Sequence, residues 1–222
     1  MTQRENQRIK AILFDMDDTL IDWSGMEGDF TTIEGSHWQN VHRYLTQLGH
    51  TLPAFPEFWT QLRETFIQAW AEAKKEWTAV SFAKELQNFL INCGLDGSQI
   101  DMDAVLRAYD WTPLPGVVPF DDTLAVLDHL KKSGYKIGLI TNAMQPMWMR
   151  DIELRAYGIL DYLDARLTSG DVGFMKPHPF IFWHALELLK VESQEAVFVG
   201  DRPANDIVGA NEAGLTSVLM SP

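Results

Sequence analysis

One cysteine, Cys93, stands among 222 residues. No internal disulfide can form, and the chain suits a reducing compartment such as the cytoplasm. Long apolar runs are missing too: nothing approaches the roughly 18 consecutive apolar residues of a membrane-spanning helix. Residues 1–10 are polar where a signal peptide would need an apolar centre. Basic residues are scarce, 18 Lys and Arg against 31 Asp and Glu, for a formal net charge of −13. That field disfavours nucleic acid and anionic membranes as partners. An anionic substrate would need local positive charge to overcome it. Low-complexity tracts and internal repeats are absent as well. The expectation is a soluble cytoplasmic protein, with oligomeric state left open. Cys93, in Phe89-Leu90-Ile91-Asn92-Cys93-Gly94 near a helix end, reads as packing rather than as a functional thiol.

Against these absences, acidic residues are concentrated at one point. The run Ala11-Ile12-Leu13-Phe14 stops at Asp15-Met16-Asp17-Asp18-Thr19. A short continuous apolar run reads as a fully buried strand, so the carboxylates sit at its carboxyl end, where parallel α/β sheets bind ligands. Gathered like charges repel one another, and a divalent cation relieves that repulsion. A calcium loop of the EF-hand type is excluded, because Leu20 stands where its sixth position needs Gly. A solvated acidic turn is the remaining alternative. Two further apolar runs end the same way. Lys136-Ile137-Gly138-Leu139-Ile140 leads into Thr141-Asn142, and Ala196-Val197-Phe198-Val199 into Gly200-Asp201. If all three are parallel strands, Asp15, Thr141 and Asp201 share one sheet edge.

Between the first strand and residue 112 the periodicity is helical, roughly over 34–48, 56–76, 81–92 and 101–109. Gly49 and Gly94 fall where helix-ending glycines belong. From Thr112-Pro113-Leu114-Pro115-Gly116 onward, helices and strands alternate. Helices are expected near 120–133, 146–157, 178–189 and 203–213, with strands at 135–140, 165–167, 196–199 and 216–219. Alternation of this kind predicts an α/β fold, a Rossmann-like parallel sheet with helices on both faces. The helical stretch enters directly after the aspartates, so it reads as an inserted all-α cap of residues 23–111 on a catalytic core of residues 1–22 and 112–222. Trp59, Trp70 and Trp77, spaced near whole helical turns, read as core packing. Trp23, just beyond the aspartates, is a candidate substrate contact. His178 reads as a helix-start residue.

Four of these stretches together resemble the motifs of the haloacid dehalogenase superfamily, in family order. They are Asp15-Met16-Asp17-Asp18-Thr19, Thr141, Lys176 in Met175-Lys176-Pro177-His178-Pro179, and Gly200-Asp201-Arg202-Pro203-Ala204-Asn205-Asp206. Asp18 and Ala143 stand where the family often has Gly. The resemblance implies a Mg2+-dependent enzyme, with metal held by Asp15, the backbone carbonyl of Asp17, and Asp201, and with Asp206 in support. Thr141 and the amide of Asn142 would hold phosphate oxygens, and Lys176 would neutralise charge on Asp15 and the phosphoryl group.

Residue chemistry runs parallel to the resemblance. Asp15 is suited to attack phosphorus as a carboxylate nucleophile. Asp17 is suited to protonate the leaving oxygen and then to activate water, with Thr19 expected to orient it. Four carboxylates, Asp15, Asp17, Asp201 and Asp206, face one cation, Lys176, so a divalent metal and a proton on Asp17 would bring the set to neutrality. The dehalogenase and phosphonate-cleaving branches lack an aspartate at position 17. Asp17 therefore points to phosphate esters. The leading reading is a phosphatase acting on a small phosphorylated metabolite through an aspartyl-phosphate. A phosphomutase is the enzyme alternative, and a catalytically silent binding module on this fold is the alternative of another class.

Overall fold

The structure, a computed structural model, describes residues 9–220. Most of the polar N-terminal stretch, residues 1–8, lies outside the described residues. Strand β1 (Ala11–Phe14) is followed by a short β2 (Ile21–Asp22). Four helices come next: α1 (Phe30–Gln47), α2 (Phe55–Ala73), α3 (Phe82–Asn92) and α4 (Met102–Ala108). The chain returns through β3 (Val118–Pro119) to α5 (Thr123–Lys132), β4 (Lys136–Thr141), α6 (Met147–Ala156) and β5 (Ala165–Thr168). It closes with α7 (Ser169–Val172), α8 (Pro179–Leu189), β6 (Ala196–Gly200), α9 (Val208–Glu212) and β7 (Thr216–Leu219). The main sheet has the order β5-β4-β1-β6-β7, and every pairing in it is parallel. The expected α/β architecture is what forms.

Alternation along the strands sorts the core into two layers. Ala11 and Leu13 of β1, Ile140 of β4 and Phe198 of β6 pack with α8 and α9 through Phe182, Leu186 and Ala210. Phe14 of β1 and Ile137 and Leu139 of β4 pack on the other side with Leu127 of α5 and Leu154 of α6. Gly138 leaves room for this: a Cβ there would stand 3.0 Å from Leu13 and 3.1 Å from Leu189. A third cluster is built mainly by the helical insertion, with Met149 of α6 joining it from the core. Trp38, Val41 and Leu45 line one stripe of α1 and meet Phe58, Leu62, Phe82, Leu86 and Tyr109. Trp38 is fully buried, with the rings of Tyr109 and Phe82 centred 4.7 and 5.3 Å away. Asp29 caps α1 by accepting from the Thr32 amide at 2.7 Å, leaving less for the first turn to satisfy with water.

Two local expectations need correction, and one pairing was unforeseen. The second helix stops at Ala73, and Trp77 lies beyond it at φ 56. Trp77 therefore sits in a turn, outside the insertion's buried cluster. The expected helix over 203–213 is instead a π-helical turn, Pro203–Ile207, followed by α9. Wide turns of this kind cluster at functional sites, and this one presents Asp206. The antiparallel pairing of β2 with β3 was not foreseen, since two residues carry no periodicity. It ties the start of the insertion to its end, and the Gly25 and Gly116 backbones pack there so closely that a Cβ on Gly116 would lie in the Gly25 carbonyl. His178 caps α8, its Nδ1 accepting from the Phe180 amide at 3.2 Å, as expected of a helix-start residue. No helix of the described residues is long and apolar enough to cross a membrane.

Candidate active site

Extending the β1 alternation by one step puts Asp15 on the α8/α9 side of the sheet. Its amide continues the ladder to Val199 O at 2.9 Å. There Lys176, at the approach to α8, meets Asp15 Oδ1 at 2.6 Å and Asp206 Oδ1 at 2.8 Å. Lys176 and Asp206 are buried, as is Asp15, so the ammonium holds two carboxylates out of water. Gly200 makes the arrangement possible: a Cβ there would stand 2.4 Å from Asp206 Oδ2. That oxygen accepts from the Arg202 amide at 3.0 Å. Asn142 fixes the lysine from its main chain, accepting from Lys176 N at 2.8 Å and donating to Lys176 O at 2.9 Å. Its side chain is thus a clamp on Lys176, a role the sequence did not disclose.

Carboxylate oxygens of Asp15, Asp201 and Asp206 lie within 4.8 Å of one another. Asp201 Oδ1 is buried without a hydrogen-bond partner among the described residues. A hard, all-oxygen donor set with a desolvated orphan oxygen fits a small divalent cation.

Asp17 is held more firmly than its sequence position suggests. Its Oδ1 accepts from Trp23 Nε1 at 3.0 Å and from the Arg150 guanidinium at 2.8 Å. Oδ2 is left to Thr141 Oγ1 at 3.4 Å. Arg150 is buried on α6, 3.0 Å from Glu153 Oε2 and 3.1 Å from Met16 Sδ. The buried Oγ1 of Thr19, the residue expected to orient Asp17, has no hydrogen-bond partner among the described residues. Arg150 is the residue that sequence reading missed. Its signal was present, since Arg150 and Glu153 share the inward face of α6 with Met149 and Leu154, where charge is costly unless paired. Arg150 brings the carboxylate of Glu153 with it, so the pair adds no net charge and the balance of the four aspartates against Lys176 is unchanged. Asp18, at φ 60, occupies the left-handed conformation that glycine adopts freely and aspartate tolerates.

These groups surround a chamber of about 60 Å³ lined by Asp15, Asp17, Thr141, Asn142, Lys176 and Asp206, with Arg202 and Asn205 at its side. Asp17 and Asn142 also line a second, larger cavity. Lys176 and Arg202 are the cations of this lining, set against the carboxylates of Asp15, Asp17 and Asp206.

Burial pushes the Asp15 carboxyl up to about 7, with the Lys176 ammonium opposing the rise and the Asp206 charge adding to it. Burial also works against the Lys176 charge, but Asp15 and Asp206 outweigh it and raise that pKa. A consequence for stability follows. Between its ordinary 3.8 and about 7, Asp15 holds a proton in the folded state that the unfolded chain has released. Folding stability from this group therefore falls as pH rises through that window, with a slope approaching about 1.4 kcal/mol per unit. Denaturant titrations in chelator at pH 4.5 and 7.5 are expected to show wild type losing ground to Asp15→Asn as pH rises. A constant difference between the two would refute the assignment.

The chain matches the family model described as haloacid dehalogenase-like hydrolase over residues 9–214. It is 31% identical over 214 residues to a protein of Methanopyrus kandleri named glyceraldehyde 3-phosphate phosphatase, covering 96% of this chain and 84% of that one. A pyrophosphatase PpaX of Bacillus mycoides is 27% identical over 215 residues, 96% of this chain and 84% of its own. Among solved structures, a HAD phosphatase from Thermococcus onnurineus superposes with a TM-score of 0.59 at 27% identity, covering 96% of this chain and 86% of that one. A 2-haloacid dehalogenase from Pseudomonas syringae does so at 0.60 and 25%, over 95% and 86%. Since the matched span takes in every strand end that converges on Asp15, this chain belongs to the haloacid dehalogenase-like hydrolases.

Proposed function

We propose that the protein is a Mg2+-dependent phosphatase that hydrolyses a small phosphorylated metabolite through an aspartyl-phosphate on Asp15. The observation that carries this reading is Asp17, whose carboxylate borders the same chamber as Asp15 and provides the acid that an alcohol leaving group requires. The phosphatase names of the relatives support it.

Asp15 attacks phosphorus, forming the acyl phosphate as the bond to the ester oxygen breaks. The departing oxygen takes its proton from Asp17. Because Oδ1 is occupied by Trp23 and Arg150, Oδ2 is the atom that carries that proton. The same oxygen then accepts a proton from water as the water attacks phosphorus, releasing phosphate and restoring Asp15. Thr141 and the Asn142 amide hold the non-bridging oxygens, and Lys176 offsets charge on Asp15 and the phosphoryl group. Asp15, Asp201 and the Asp17 carbonyl, with Asp206 in support, would hold Mg2+, which would supply positive charge to the phosphoryl oxygens. Residues 23–111 act as a cap on the core of residues 1–22 and 112–222. Support for that division comes from an apolar cluster built mainly by the insertion, joined from the core by Met149 of α6, and from the insertion's contribution to the larger cavity. The one cysteine, half-buried against the insertion's cluster, suits a cytoplasmic enzyme.

Phosphate release from p-nitrophenyl phosphate and a panel of sugar phosphates tests the proposal. Activity is expected with Mg2+, to vanish in excess chelator, and to return with Mg2+ but not with Ca2+. In-line transfer needs the tight octahedral geometry that Ca2+ relaxes. Full turnover in chelator would overturn the metal requirement.

A further inference from the structure

The larger cavity, about 480 Å³, opens from the catalytic chamber at Asp17 and Asn142, the two residues that line both. Its walls are aromatic to an unusual degree: Trp23, Phe30, Trp59, Phe66, Trp70 and Trp111. Four of these come from α1 and α2 of the insertion, and Trp23 and Trp111 stand near its entry and exit. Trp59 and Trp70 back onto the insertion's buried cluster while remaining half-exposed. The sequence expectation of core packing therefore covers only part of their role. Phe30 is 45% exposed. Polar residues complete the lining, among them Glu34, Arg63, Gln145 and Arg150. An apolar cleft with a small number of placed polar groups is the usual form of a small-molecule site.

We propose that this cavity receives the leaving group of the substrate and that the group is a flat aromatic or heteroaromatic ring system. The inference rests on the phosphatase reading above and names the substrate class for that same site. Two arguments carry it. At about 30 Å³ per water molecule, the cavity has the capacity of about 16 waters, so a three-carbon leaving group would leave most of it hydrated. Aromatic side chains lining that space are better complemented by a ring system than by a polyol. Because the cavity joins the chamber at Asp17, a phosphoryl group against Asp15 directs its ester oxygen past the general acid and its organic part toward the indoles.

The test uses three primary alkyl phosphates with similar leaving-group basicity, so that differences report the cavity rather than the chemistry. They are 2-(2-naphthyl)ethyl phosphate, 2-cyclohexylethyl phosphate and glycerol 1-phosphate, each assayed for phosphate release with Mg2+. The naphthyl ester is expected to exceed the other two in kcat/KM by on the order of tenfold, the scale of base–aromatic stacking. Trp70→Leu is expected to lower the naphthyl-to-glycerol ratio by about tenfold, and Trp70→Phe to preserve most of it. Melting temperatures of both variants guard against a folding artefact, and Trp59→Leu provides an independent probe of the same wall. Equal kcat/KM for all three esters, or a ratio untouched by Trp70→Leu and Trp59→Leu, would overturn the aromatic assignment while leaving the phosphatase reading intact. No release from any of the three, nor from p-nitrophenyl phosphate, would overturn that reading and this inference with it.

Discussion

Asp15→Asn is expected to abolish turnover, with a loss on the order of 10⁴-fold or more, as removal of a nucleophile does elsewhere. An amide oxygen is a poor nucleophile and cannot form the acyl phosphate. The fold should survive, because the asparagine oxygen can still accept from Lys176 and Asp206 keeps its own contact at 2.8 Å. Metal-free protein near neutral pH should even gain stability, since the substitution removes a buried charge that burial and Asp206 disfavour. Loss of activity together with improved stability is the signature of a residue kept for chemistry. Trapping a beryllofluoride or phosphoryl adduct on wild-type Asp15, and its absence in the variant, measures the role directly. Near-wild-type rates in Asp15→Asn would end the covalent mechanism.

Asp17→Asn separates acid catalysis from simple binding. The carbonyl assigned to the metal remains, and the side-chain oxygen can keep its contacts with Trp23 and Arg150. What disappears is the proton on Oδ2, so alkyl phosphates should lose on the order of 10²–10⁴-fold in the first step. Nitrophenyl phosphate, whose leaving group needs little protonation, should lose much less in a pre-steady-state burst. Steady-state turnover should stay slow for both, because the second step still lacks its base, and a phosphoenzyme should accumulate. Equal losses in the burst for alkyl and nitrophenyl esters would refute the general-acid role.

The parts of the site legible in the sequence were those attached to strand ends. Asp15, Thr141 and Asp201 follow apolar runs, so a prediction of strands was also a prediction of place. Lys176 and Asp206 came through resemblance to a family pattern, because a lysine before a helix and an aspartate inside a turn look like surface residues. Their burial depends on Gly200 and on the π-helical turn, which have no periodic signature. Arg150 escaped because its partner Asp17 lies 133 positions away, and a charged residue on a helix is ordinarily read as solvated. Thr19 was assigned by proximity in sequence, and no hydrogen bond joins its hydroxyl to Asp17. The carboxylate it was to orient is instead held by an indole six positions on and by α6. The short β2–β3 ribbon was invisible for a related reason, since two residues at each end have meaning only once they meet.

That ribbon has a bearing on how freely the region above the site can change. With Ile21 opposite Pro119 and Asp22 opposite Val118, residues 23–117 leave and re-enter at one place, so to the sheet they are a single closed loop. Closing a structureless loop of that length costs about 4 kcal/mol, and doubling it would add only about 0.6 kcal/mol. Chain closure therefore sets little limit on the length of what the ribbon encloses, whereas composition counts where the insertion meets the core, at Trp23 against Asp17 and at Trp77 O, which accepts from the Met175 amide beside Lys176. Helices away from those contacts can be lengthened or shortened at little entropic cost, which leaves the far walls of the larger cavity freer to change than its catalytic end.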